Sequence, residues 1–132
     1  MTEYPIVLRE PARPGTVDLF IRESTRREQS GEQDFSVYFG AILSGAARIQ
    51  SRFYRDEIVR QLSSTTDPII GGEMEAVGLL TASTNWNDPV WCVVKGISDF
   101  ADEDRDGVIR DYRPLACRNA ALFLLRALMN DV

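Results

Sequence analysis

The chain has 132 residues, 44% hydrophobic and 27% charged, with 20 acidic against 15 basic side chains and no histidine. That length suits one domain with a core of its own, and a net charge of −5 argues against a nucleic-acid backbone as partner. The absence of histidine excludes Ser-His-Asp and Cys-His catalysis and the usual His-bearing zinc sites. Chemistry must therefore rest on carboxylates, Ser/Thr, Lys/Arg or backbone groups.

No apolar run approaches the roughly 20 residues that a membrane span needs, and the first residues lack a signal-peptide pattern. A cytoplasmic protein with no membrane partner is expected. Cys92 and Cys117 have no metal-ligand spacing, and reduced, buried thiols are expected for both.

In chain order, residues 4–8 read as a short edge strand, where Pro5 is tolerated. Pro11, Pro14 and Gly15 break the chain before an apolar run over 17–21. Residues 22–34 are charged and lack apolar periodicity, so they read as a linker or mobile loop. The expected organisation is an N-terminal extension over 1–34 and a domain over 35–132.

Residues 35–43 are a strand candidate, with Phe35, Val37, Phe39 and Ala41 alternating and Ser44-Gly45 as its stop. Ser51 can cap a helix in which Tyr54, Ile58 and Leu62 form an inward stripe, widened by Phe53 and Val59. Pro68 forbids further helix, and Ile69-Ile70 makes a very short strand. Glu73 opens the next helix, where it and Glu75 favour the macrodipole and Met74, Val77, Leu80 and Thr81 face inward.

A loop through Asn85, Asn87 and Pro89 leads to an apolar run over 90–97, read as a central strand ending in Ser98-Asp99. Lys95 in that strand would need a carboxylate partner. Residues 113–129 carry the strongest helical pattern, with Pro114 near its start. The alternation of strands and helices predicts an α/β fold: three layers, α/β/α, around a small mixed sheet.

One local pattern competes for attention. Asp102, Asp104, Asp106, Gly107 and Ile109 fit the opening of an EF-hand-like calcium loop. However, Arg110 and Arg113 stand at its ninth and twelfth positions, where the twelfth should be a bidentate glutamate. A solvated acidic loop is the expectation, with no metal site.

The segments FGAILSG (39–45), GGEMEAVGLL (71–80) and VVKGISDFAD (93–102), followed by an alanine-bearing helix, resemble the C-terminal half of the purine nucleoside phosphorylase and nucleosidase superfamily. The likeness is strongest to phosphorylase-like domains of multidomain sensor or effector proteins. It implies that Asp99 acts as the catalytic acid on the leaving purine, oriented by Ser98. It further implies that Glu75 binds the ribose hydroxyls above Met74, and that Ser44, Gly45, Arg48 and Ile49 bracket the base. Glu73 is a further candidate for substrate binding.

The resemblance implies a purine nucleoside or nucleotide as substrate, no cofactor, and phosphate as a candidate co-substrate. Residues 1–34 hold no glycine cluster to match the family's phosphate loop. The alternative expectation is therefore a catalytically incomplete nucleoside-binding or interaction module. Association with an N-terminal half, or of the chain with itself, is expected in either case.

Overall fold

The structure, a computed structural model, describes residues 6–8, 18–45, 47–63, 68–83 and 91–130. It combines helices with one small mixed sheet, compatible with an α/β class. The elements in chain order are β1 (Ile6–Leu8), α1 (Asp18–Gln29), β2 (Ala41–Ser44), α2 (Arg52–Leu62), β3 (Ile69–Glu73), α3 (Ala76–Ser83) and α4 (Arg105–Met129). The asparagine loop and residues 64–67 lie outside the described residues, as do Pro5, Pro11, Pro14 and Gly15. No helix among the described residues is long and apolar enough to cross a membrane.

The sheet order is β1-β2-β3, with β1 antiparallel and β3 parallel to the middle strand. Parallel neighbours need a crossover. Here α2 supplies it, so β2, α2 and β3 form one βαβ unit. Ser51 caps α2 as expected: its backbone is extended and its hydroxyl accepts the Tyr54 N–H at 3.4 Å. Only Ile58 of the proposed stripe is buried, whereas Phe53, Tyr54 and Leu62 are exposed.

The strand predicted over 35–43 is shorter and later. It begins at Ala41, just after Gly40 passes close to Pro68 and Ile70, where an added Cβ would meet the Pro68 carbonyl at 3.1 Å. Likewise Glu73 ends β3 instead of opening a helix, and α3 starts at Ala76.

Two further expectations are overturned. The charged stretch 22–34 is mostly helix, not linker, and α1 packs against α4. Its buried face is Phe20, Glu23 and Arg27, so two of three inward residues are charged. Gly31 closes the helix at φ 70°, where the Glu32 N–H reaches Arg27 O at 3.0 Å and the Gly31 N–H reaches Glu28 O at 3.1 Å.

The predicted central strand over 90–97 is also corrected, because residues 91–100 carry no regular secondary structure. An apolar run does not by itself distinguish a strand from another packed segment. This one packs on a helix: Gly96 lies against the backbone of Ala116 in α4. Lys95 is exposed rather than buried in a sheet, and Cys92 and Cys117 are exposed rather than buried.

The core lies where these pieces meet. Phe20, Phe123 and Ala127 form its centre, with Phe35, Val37 and Val94 packed around them. The Phe20 and Phe123 rings stack with centroids 6.0 Å apart. Along α4 the buried positions Ala116, Phe123 and Ala127 follow helical spacing. Leu115, Leu125, Leu128 and Met129 stay exposed.

Candidate active site

Ser44 and Glu73 end the two parallel strands and stand opposite each other in register. Both spend oxygen atoms on the open N-terminus of α3, whose first N–H groups have no partner within the helix. Ser44 Oγ accepts the Val77 N–H at 3.0 Å. Glu73 Oε2 accepts the N–H groups of Glu75 at 2.6 Å and Ala76 at 2.7 Å. The second oxygen, Glu73 Oε1, is buried with no hydrogen-bond donor among the described residues. A buried acceptor without a donor is costly, and such atoms mark places where something else is bound or strain is held.

Asp99 sits on a tight turn. Its Oδ1 accepts the Ala101 N–H at 2.9 Å, and Ala101 adopts the left-handed region at φ 55°. The Ser98 hydroxyl donates to Asp99 Oδ2 at 3.1 Å, and Arg105 Nε lies 3.6 Å from Oδ1. The carboxylate is thus oriented from three directions while remaining partly open to solvent.

These groups border one cleft of about 500 Å³, within the range of small-molecule sites. Asp99, Ser98, Glu75, Met74, Glu73, Gly45 and Ile49 all line it. It opens beyond the carboxyl ends of β2 and β3, the usual place for ligands in open α/β sheets. Ser44 is the exception and corrects the expectation placed on it. It is 0% exposed with its hydroxyl held by Val77, so it shapes α3 and does not face the cleft. Met74 and Thr81 are likewise exposed rather than inward, Met74 on the cleft wall.

The calcium-loop pattern is not built as a loop. Helix α4 begins at Arg105 and absorbs Asp106, Gly107 and Ile109. The residues around its start are tied to α2 and to Gln50 just before it. Glu103 Oε1 accepts the Arg52 N–H at 3.1 Å, Gln50 donates to Asp106 at 2.9 Å, and Arg55 donates to the Phe100 carbonyl at 2.7 Å. Bonds from its own backbone N–H and then from Arg52 hold the Glu103 carboxyl below its ordinary value. Among the described residues no group of three His, Cys, Asp or Glu side chains is placed to hold a metal ion.

Sequence reasoning missed Arg55 and Arg105, which brace the turn carrying Asp99. It also missed the ion network behind the core. Glu23, 2% exposed, accepts from Arg26 Nε at 2.8 Å and from Asn130 at 3.0 Å, while Arg126 joins Glu32 at 2.7 Å. The Arg26 guanidinium, chiefly, keeps the Glu23 carboxyl below its ordinary value. Buried Arg27 lies 3.6 Å above the Phe35 ring and donates to Asp34 and the Phe35 carbonyl.

Comparison with known proteins gives one weak likeness. A death domain-containing ATP nucleosidase of Amphimedon queenslandica is 25% identical over 104 residues, which cover 79% of this chain and 18% of that protein. The chain therefore matches less than one fifth of that relative's length. No family model matches the chain, and no solved structure does. What the comparison adds is a distant pointer to nucleosidases.

Proposed function

We propose that the cleft binds a purine nucleoside or nucleotide and cleaves its N-glycosidic bond, with water as acceptor. Asp99 is the acid at the leaving base and Glu75 the anchor for the ribose hydroxyls. The observation that carries this reading is convergence. Seven of the eight residues that the resemblance singles out border one cleft, although they come from three separate stretches of chain. The name of the distant ATP nucleosidase supports the same reaction class and favours water over phosphate. The reading extends to the fold, taking the mixed sheet as the middle of a three-layer α/β/α frame.

The chemistry follows from the parts. As the bond between C1′ and the base nitrogen breaks, its electron pair moves onto the base and the sugar becomes oxocarbenium-like; water then forms the new C1′–O bond and gives up one proton to solvent. A proton supplied at a ring nitrogen relieves the charge on the base, the role given to Asp99. Ser98 and the Ala101 N–H keep that carboxyl from turning away. Two carboxylate oxygens on Glu75 suit a vicinal diol.

The test is release of free base from adenosine and ATP, with and without phosphate, by the chain and by its Asp99→Asn variant. Release should fall by about 10²–10⁴-fold in the variant, the usual range for loss of a general acid. Equal release from both proteins, or no binding of either compound, would refute the reading.

A further inference from the structure

This inference rests on the proposed nucleoside- or nucleotide-cleaving site and concerns what else that cleft recognises. Charges line it unevenly. Arg105 is paired with Asp99 at 3.6 Å and Asp106 at 3.5 Å, and Arg55 with Asp56 at 2.7 Å. The Glu73 carboxylate is engaged by backbone N–H groups at the start of α3. Glu75 Oε2 likewise accepts only a backbone N–H, that of Met74 at 3.3 Å, so Glu73 and Glu75 are the two cleft acids without a cation.

Against them stand Lys95 and Arg113. Both line the cleft, and neither has an ion pair or hydrogen bond among the described residues. Arg48, also on the wall, donates only to the neutral Gln50 side chain at 3.2 Å. The unmatched charge facing the cleft is therefore positive, in a chain whose net charge is −5. An excess of unpaired cations lining a concave site concentrates anions there.

The fold also brings the pair together. Gly96 abuts the backbone of Ala116, so Lys95 is held beside that part of α4. Arg113 precedes Ala116 by one turn on the same face, and both residues border the cleft.

We infer that Lys95 and Arg113 bind the phosphate chain of a nucleotide, so that the cleft selects nucleotides over nucleosides. A guanidinium can grip phosphate oxygens with two parallel N–H bonds, and an ammonium adds a mobile point charge. Neither residue has a role at the base or ribose in the proposed reading. They set specificity and do not carry out the bond cleavage.

Calorimetric titration of the chain with ATP, adenosine and inorganic triphosphate tests this, using the wild type, Lys95→Gln, Arg113→Gln and the double variant. Both side chains are exposed, and circular dichroism verifies that the variants fold. The wild type should bind ATP at least about tenfold more tightly than adenosine, with added salt eroding the difference. Each single variant should lower the ATP-to-adenosine affinity ratio by about tenfold, since a hydrogen bond to a charged group carries that much. Equal affinity for the two ligands, or a double variant that loses both equally, overturns the inference. If the wild type binds neither, the nucleoside reading itself fails. Triphosphate binding abolished in the double variant would then still support the cation pair, and no triphosphate binding would overturn it as well.

Discussion

Replacing Gly96 with alanine probes the contact on which the cleft's outer wall depends. A Cβ built there meets the carbonyl oxygen and carbon of Ala116 and lies 2.9 Å from its Cα. All three are backbone atoms of a long helix, so no side-chain rotation relieves the clash. Segment 91–100 must move off α4, or α4 must deform. Overpacking a core typically costs 1–3 kcal/mol and occasionally more, and a backbone obstacle puts this case at about 3 kcal/mol. For a chain of this size that corresponds to a fall in Tm of about 9–15 °C. Thermal unfolding by circular dichroism measures it. Ala116→Gly should not rescue the variant, because the obstructing atoms remain. Gly107→Ala and Gly78→Ala are the matched controls: both glycines are helical, with nothing within 4 Å of an added Cβ. Each should gain about 0.5–1 kcal/mol. A Gly96→Ala protein melting within about 2 °C of wild type would refute the packing of this segment on α4.

Two other perturbations test the supports of the site and of the core. Ser44→Ala removes a hydroxyl that is 0% exposed and leaves the Val77 N–H without its acceptor, for about 1–2 kcal/mol in urea denaturation. An unchanged midpoint would mean that α3 is not capped this way. Glu23→Gln weakens the bonds to Arg26, and because the Arg26 side chain is 39% exposed the cost at neutral pH is held to about 1–2 kcal/mol. The folded-state carboxyl sits below its ordinary value, so its contribution is present above the usual glutamate value of about 4.3 and fades as pH falls through the lower folded value. Wild type and variant should therefore converge in Tm as pH drops below 4.3. A gap that persists at pH 2–3 would assign the stabilisation to shape and not to charge.

The parts of the fold legible in the sequence are those governed by local rules. Ser51 caps α2 because an extended serine can reach a free N–H two or three positions ahead, and Pro68 stops the helix before β3. Several residues that border the cleft stand in the motifs named from the sequence, although Ser98 and Asp99 end an irregular segment and not a strand. Helix α1 was not, since its inner face is Glu23 and Arg27, and paired charge leaves no trace in an apolar period. The signals that could have found it were electrostatic: Asp18 in the first turn, Arg26 and Arg27 in the last, Glu23 three before Arg26, and Gly31 beyond. The early start of α4 was hidden in the same way. Its acid-rich entrance reads as a loop until Arg52, Gln50 and Arg55 of another element are brought to it. Lys95 failed for the converse reason, because the strand expected to bury it does not form.

Closing the core joins distant stretches of chain. Asn130 meets Glu23 across 107 positions, and Arg126 meets Glu32 across 94. At ribosomal rates of 5–20 residues per second, α1 waits about 5–20 s for these partners to be made. An apolar helix face left uncovered for that time would invite aggregation. The inner face of α1 instead sets Glu23 and Arg27 beside Phe20; water solvates both charges well, and Glu23 can pair with Arg26 within α1 at once. The same charge that conceals α1 from a hydropathy reading gives the nascent chain a helix that keeps safely until α4 arrives.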